Sequence, residues 1–314
     1  MITLHLGQPK TGTSVLQSAL VLLSEQGDAL TYPTAFRRPG KGHHALAQSV
    51  RGADSFAEAA PELRAVLEQA KGREVVFSSE EFANVIGPRH RAIFDRFTAL
   101  CAEYDDVQGV LYLRRFDDFL NSMMLQTMRY GGFQGSPVEY VFQRLTGIYT
   151  FFAALRDLRK HGSMRLRLVP YTPGFDILQD FKDICPAATG LDQVGPLPKT
   201  EKFTWKQQVF IAASAQILGA RLTRPQMERM IIRMREDAIQ LDGDLVNYCA
   251  VPQDLDEAVI KSAFAAARDT GITEYTEAFD GGGTEGKTYV PFDRSVLTRQ
   301  DIAVMSELAG VPAS

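Results

Sequence analysis

Cysteine is scarce in this 314-residue chain: Cys101, Cys185 and Cys249 are odd in number and far apart. They lack the close pairs of a zinc site or redox motif and read as buried thiols in a reducing compartment. Basic residues are not in excess either, with 34 Lys and Arg against 38 Asp and Glu and a net charge of −4. Nothing in that balance suggests a nucleic-acid footprint, so small molecules or glycans are the expected partners. Long hydrophobic runs are missing as well. Met1 to Leu6 lead straight into a Gly/Pro/Lys loop, without the basic and apolar regions of a signal peptide. The most apolar early stretch, Val15 to Leu23, is broken by Gln17 and Ser18 and falls short of the ~20 residues a bilayer needs. The expectation is a cytoplasmic protein with no membrane span.

What the chain does have is 45% hydrophobic residues arranged in alternating short and long patterns. Ile2 to Leu6 reads as a strand, and Ser14 to Gln26 as a helix with apolar residues at Val15, Leu16, Ala19, Leu20, Leu22 and Leu23. Thr31 to Gly42 is a Pro/Arg/Gly loop, followed by helices over 43–50 and 55–70. Apolar β-type runs follow at 74–79, 107–113 and 164–169, separated by helical stretches at 92–103, 117–128 and 138–161. Strands alternating with helices predict an α/β fold of three layers, a central parallel sheet flanked by helices, plus a helical C-terminal part. One domain over 1–314 is expected: an α/β core for a cofactor over 1–185, a helical subdomain or lid over 200–275, and a final loop and helix over 276–314. Residues 280–287 form a Gly-rich loop ending in Lys287, which reads as a surface loop or as a cover for a nucleotide. Trp205, the single tryptophan, opens a helical stretch and reads as a core anchor.

The sharpest motif is Gly7-Gln8-Pro9-Lys10-Thr11-Gly12-Thr13-Ser14, placed between a strand and a helix. Backbone amides there, with the positive end of the helix dipole, make an anion cradle, and Thr13 and Ser14 add hydroxyls. Gly7 and Gly12 have the spacing of a Walker A loop, yet Thr13 stands where its lysine belongs and Lys10 sits inside the loop. A kinase or nucleotidase of the P-loop type is thereby disfavoured. It would also need an acidic strand end for magnesium, whereas the 107–113 strand ends in Arg114 and Arg115.

The strand-loop-helix motif resembles the 5′-phosphosulfate loop of the sulfotransferase family, which has a P-loop-like fold and uses 3′-phosphoadenosine-5′-phosphosulfate. The resemblance implies that Lys10 contacts the leaving group and that Thr11, Gly12, Thr13 and Ser14 bind the 5′-phosphate. The segment Gly109 to Ser122 is similar to the family's 3′-phosphate segment. It implies Arg114, or its neighbour Arg115, and Ser122 as ligands of the 3′-phosphate; the chain has Arg115-Phe116 where family members often have Asp-Pro. The implied reaction moves a sulfuryl group to a hydroxyl or amine of a glycan, lipid or small metabolite, leaving adenosine 3′,5′-bisphosphate. No metal is needed for it, and no Asp/Glu/His set suited to magnesium or zinc is evident.

Such a transfer requires a base beside the acceptor. Val75 to Phe82 reads as a strand delivering Ser78, Ser79, Glu80 and Glu81 at its carboxyl end, where open parallel sheets place ligands. Glu80 is the first candidate, with helix capping as its alternative role. His43 and His44 compete with it, since a histidine needs little pKa adjustment. Arg37, Arg38 and Lys41 could grip an anionic acceptor or simply solubilise their loop. A non-catalytic nucleotide- or glycan-binding protein of the same fold is the remaining alternative.

Overall fold

The computed structural model describes residues 1–27, 30–37, 41–129, 133, 135–194, 203–217, 224–236, 248–280, 284 and 287–309. Two compact units are built from interleaved segments: residues 1–115, 147–199 and 263–280 form the first, and 116–146, 200–262 and 281–314 the second.

The first unit holds a five-stranded sheet of β1 (Ile2–His5), β2 (Leu30–Thr31), β3 (Glu74–Ser78), β4 (Val107–Leu113) and β5 (Arg165–Pro170). Its order is β2-β3-β1-β4-β5, and every pairing is parallel. β1 lies in the centre, with Leu4 opposite both Phe77 of β3 and Gly109 of β4. All four of its residues are buried, which is why a parallel strand reads as a near-continuous apolar run. The polar residues on it find partners: Gln108 donates to the Thr3 hydroxyl at 2.9 Å, and His5 Nδ1 lies 2.7 Å from the Ser78 hydroxyl.

Helices cover the sheet. On α1 (Thr13–Gln26), Leu16, Ala19 and Leu20 pack with Val76, Val110, Tyr112 and Val169 of the strands. Ile177, Phe181 and Ile184 join the same core from a helix that begins at Ile177. The remaining elements are α2 (His44–Ser49), α3 (Ala53–Gln69), α4 (Arg91–Ala102), α5 (Phe116–Arg129), α6 (Pro137–His161), α7 (Ile177–Ile184), α8 (Trp205–Ile217), α9 (Arg224–Glu236), α10 (Gln253–Thr270), α11 (Thr273–Phe279) and α12 (Arg299–Ala309). A stack of Phe82 on Phe97, with ring centroids 5.6 Å apart, joins the turn after β3 to α4, and Phe56 of α3 meets the edge of Phe97.

The second unit is helical. Val209, Phe210 and Ile211 of α8, Met230 and Ile231 of α9 and Met305 of α12 enclose its core. Trp205 lies half-buried at the edge of this core and donates its indole N–H to the Pro291 carbonyl at 2.9 Å. Lys287 is partly buried against Asp117, Asp118 and Asp256; its ammonium hydrogen-bonds Asp117 and lies 2.7 Å from Asp256, whose same oxygen accepts from Tyr289 at 2.7 Å. Burial alone would lower the pKa of this lysine, but Asp117, Asp256 and Asp118 carry it above the usual range. Most of the glycine run that precedes it, 281–283 and 285–286, lies outside the described residues. No described helix is long and apolar enough to cross a membrane.

Candidate functional site

The order of the sheet decides where the loops meet. From β1 the chain runs outward to β2 and returns to β3 beside β1; it then crosses to β4 on the other flank. The carboxyl end of β1 is therefore the switch point, where open α/β sheets form their ligand crevice. The segment Gly7 to Gly12 leaves β1 there and enters α1.

Three residues of this loop have left-handed backbone: Gly7 at φ 84°, Lys10 at φ 70° and Gly12 at φ 76°. Gly12 is the N-cap of α1, and neither a side-chain cap nor an acidic residue of the first turn occupies that helix start. Among the described residues, the amides of Thr11, Gly12, Thr13 and Ser14 have no acceptor. An uncapped N-terminus with converging amides favours an anion by charge and by unspent donors. The Thr11 hydroxyl is buried and donates to the Gln8 carbonyl at 2.6 Å, so this residue offers the cradle its amide rather than its side chain. Ser14 is exposed and Thr13 buried. Tyr171, at the end of β5, completes the surroundings, since a methyl group on Gly12 would lie 3.5 Å from its hydroxyl. No sequence signal had pointed to this tyrosine.

Glu80 does not extend β3, which ends at Ser78; it opens a 3-10 turn, Glu80–Asn84, capped by the Ser79 hydroxyl. Its backbone presses on the Gly7–Gly12 loop: a β-carbon on Gly7 would sit 2.6 Å from the Glu80 Cα. Its carboxylate accepts from Gln17 of α1 at 3.1 Å and lies 3.9 Å from His44 Nδ1. The side chains of His44 and Glu80 keep 26% and 29% of their surface, enough for a reactant to reach them. Glu81 turns elsewhere, to Arg51 at 3.0 Å and Gln48 at 3.3 Å. Adjacent glutamates thus separate into one at the loop and one in a surface ion pair.

The two histidines separate as well. His44 Nδ1 is 2.9 Å from the Ser79 hydroxyl, on the same rim as Glu80. His43 is fully buried, and its Nδ1 accepts from the Ser78 amide at 3.1 Å. Its Nε2 therefore carries the proton, donated to the Pro33 carbonyl at 2.9 Å. Burial pushes His43 down to about 4. With both nitrogens bound to backbone, this ring joins loop and strand and has none left for a reactant. Lys41 donates to the Ser18 hydroxyl at 2.8 Å, and Arg37 lies over the Tyr32 ring at 5.3 Å. Arg38 falls outside the described residues.

Arg114 follows β4 directly. Its amide donates to the Gln8 side chain at 2.9 Å, and its guanidinium donates to the Lys10 carbonyl at 3.1 Å. The first unit thus brings Lys10 to Ser14, Glu80, His44 and Arg114 to one end of the sheet, with His43 beneath. Ser122 is on α5 in the second unit, partly buried. Gln17 was not foreseen because nothing in a helix pattern marks which polar residue faces a distant glutamate. A scan against protein-family models finds no match, and a search of the curated proteins finds none either, so the site is read from its own residues.

Proposed function

We propose that this chain is a sulfotransferase that takes the sulfuryl group from 3′-phosphoadenosine-5′-phosphosulfate and passes it to a hydroxyl or amine. The reading is supported most by one observation: four unspent amides at an uncapped helix start, at the switch point of a parallel sheet, with the Glu80 backbone against Gly7 and its carboxylate on Gln17 of the same helix. A phosphotransferase of the P-loop type would be expected to carry a lysine where Thr13 stands.

In this mechanism the amides of Thr11 to Ser14 hold the 5′-phosphate, and Lys10 faces the bridging oxygen. Arg114 or Arg115 meets the 3′-phosphate. The acceptor oxygen or nitrogen attacks sulfur in line, the bond from sulfur to the bridging oxygen breaks, and the electron pair leaves on the 5′-phosphate. Lys10 and the helix dipole stabilise that developing charge. The acceptor proton goes to Glu80, which Gln17 orients.

Isothermal titration with adenosine 3′,5′-bisphosphate, 5′-AMP and magnesium-ATP tests the reading. Micromolar binding of the bisphosphate, tighter than either comparison, is the expected result. A preference for magnesium-ATP would make the chain a divergent P-loop phosphotransferase instead.

A further inference from the structure

Lys10 is the feature of the loop that its composition does not explain. Left-handed backbone at φ 70° disfavours any residue with a β-carbon, and a lysine keeps it when its surroundings impose it. Those surroundings are explicit. The Gln8 amide donates to the Tyr112 carbonyl at 3.3 Å and the Tyr112 amide to the Gly7 carbonyl at 3.1 Å, which continues the β1–β4 ladder into the loop. The Arg114 amide holds the Gln8 side chain at 2.9 Å, and the Thr11 hydroxyl holds the Gln8 carbonyl at 2.6 Å. Beyond Gln8, the Arg114 guanidinium reaches Lys10 itself, on its carbonyl at 3.1 Å.

The direction of that bond matters. In a trans peptide, the carbonyl of one residue and the amide of the next point to opposite sides. With the Lys10 carbonyl turned to the guanidinium, the Thr11 amide points away from it, and Thr11 begins the run of unspent amides. We infer that Arg114 is a positioning residue of the anion loop: by binding the Lys10 carbonyl it fixes Lys10 in left-handed backbone and aims the amides that follow. This inference rests on the anion-loop reading above. It gives Arg114 a role in binding a 5′-phosphate alone, separate from any contact with a 3′-phosphate.

The test is a cycle of Arg114→Ala, Lys10→Gly and the double variant, titrated with 5′-AMP. Arg114→Ala should weaken 5′-AMP binding about tenfold. Because glycine adopts φ above zero at little cost, the same change made on top of Lys10→Gly should weaken it by less than about threefold. Arg114→Lys, which keeps one donor and the charge, should fall between wild type and Arg114→Ala. Undiminished 5′-AMP affinity in Arg114→Ala, with loss confined to adenosine 3′,5′-bisphosphate, would overturn the inference.

Amide hydrogen exchange at Gln8 and Tyr112 decides the point without nucleotide. Exchange there should quicken in Arg114→Ala and slow again when Lys10→Gly is added; equal exchange in wild type and Arg114→Ala would sink the inference. Failure of the wild type to bind either nucleotide would instead remove the proposed function, with the exchange result still standing for the loop.

Discussion

Glu80 and Glu81 share a composition, a turn and a backbone, and their partners alone distinguish them. Gln17 holds the first beside the Gly7–Gly12 loop, with His44 3.9 Å away, while Arg51 and Gln48 hold the second. Glu80→Gln should lower kcat about 10²–10⁴-fold and leave the affinity for adenosine 3′,5′-bisphosphate nearly unchanged, because general-base catalysis acts on the transition state. Glu81→Gln should cost about 1 kcal/mol of stability or less and spare turnover. Equal kinetic losses in the two variants would remove the base from Glu80. The histidines make a parallel pair. His43→Ala removes a ring bound on both sides to backbone and should cost about 2–4 kcal/mol in urea unfolding. His44→Gln should alter kcat with little change in stability. A stable but inactive His43 variant would contradict this division.

Among the elements, the anion loop and the turn after β3 behave as one piece because Gly7 touches the Glu80 backbone. Gly7→Ala meets both a left-handed backbone and a 2.6 Å contact. It should lower nucleotide affinity and kcat together and destabilise by about 1–3 kcal/mol or more; a variant with normal kinetics would show that loop and turn are independent. Much of this was legible in the sequence. The run 107–113 is buried at nearly every position and stands as β4 with the bounds its pattern predicts, and Gly7 and Gly12 marked the loop because only particular backbone angles join a strand to a helix so tightly. β2 was missed because two residues, Leu30 and Thr31, carry too little periodicity. The eight residues of α7 escaped for a similar reason, although Asp176 caps the helix with hydrogen bonds of 3.0 and 3.1 Å. Tyr171 and Gln17 reach the site by tertiary placement, which no local pattern encodes. Their contribution begins only when β5 and α1 lie where the sheet puts them.

For the whole molecule, buried titratable groups set the response to acid. Burial pushes His5 down to about 3 and, as its main cause, His43 down to about 4. Unfolded, each takes up a proton near pH 6.5, so between about pH 6.5 and pH 4 the unfolded chain binds protons that the folded chain refuses. Stability should be level between about pH 7 and 8 and should fall by up to about 1.4 kcal/mol per pH unit for each histidine as the solution is acidified below that. Urea unfolding from pH 7.5 to 4.5 checks this, and His5→Gln or His43→Gln should flatten the slope; an unchanged slope in both would refute it. In the helical unit, Lys287→Met leaves Asp117 and Asp256 buried without their cation and should cost about 3–5 kcal/mol by the same measurement, where a neutral result would show that the carboxylates find other relief. The central position of β1 has one more consequence, for the order of events during synthesis. The strand that leads into the anion loop is translated before either neighbour, and its second flank is closed only by β4, from residue 107 onward. At about 5–20 residues per second, the ribosome takes on the order of 5–20 s to bridge that gap. Until β4 is made, β1 can pair only with β3, and its other edge stays open to strand pairing with other chains.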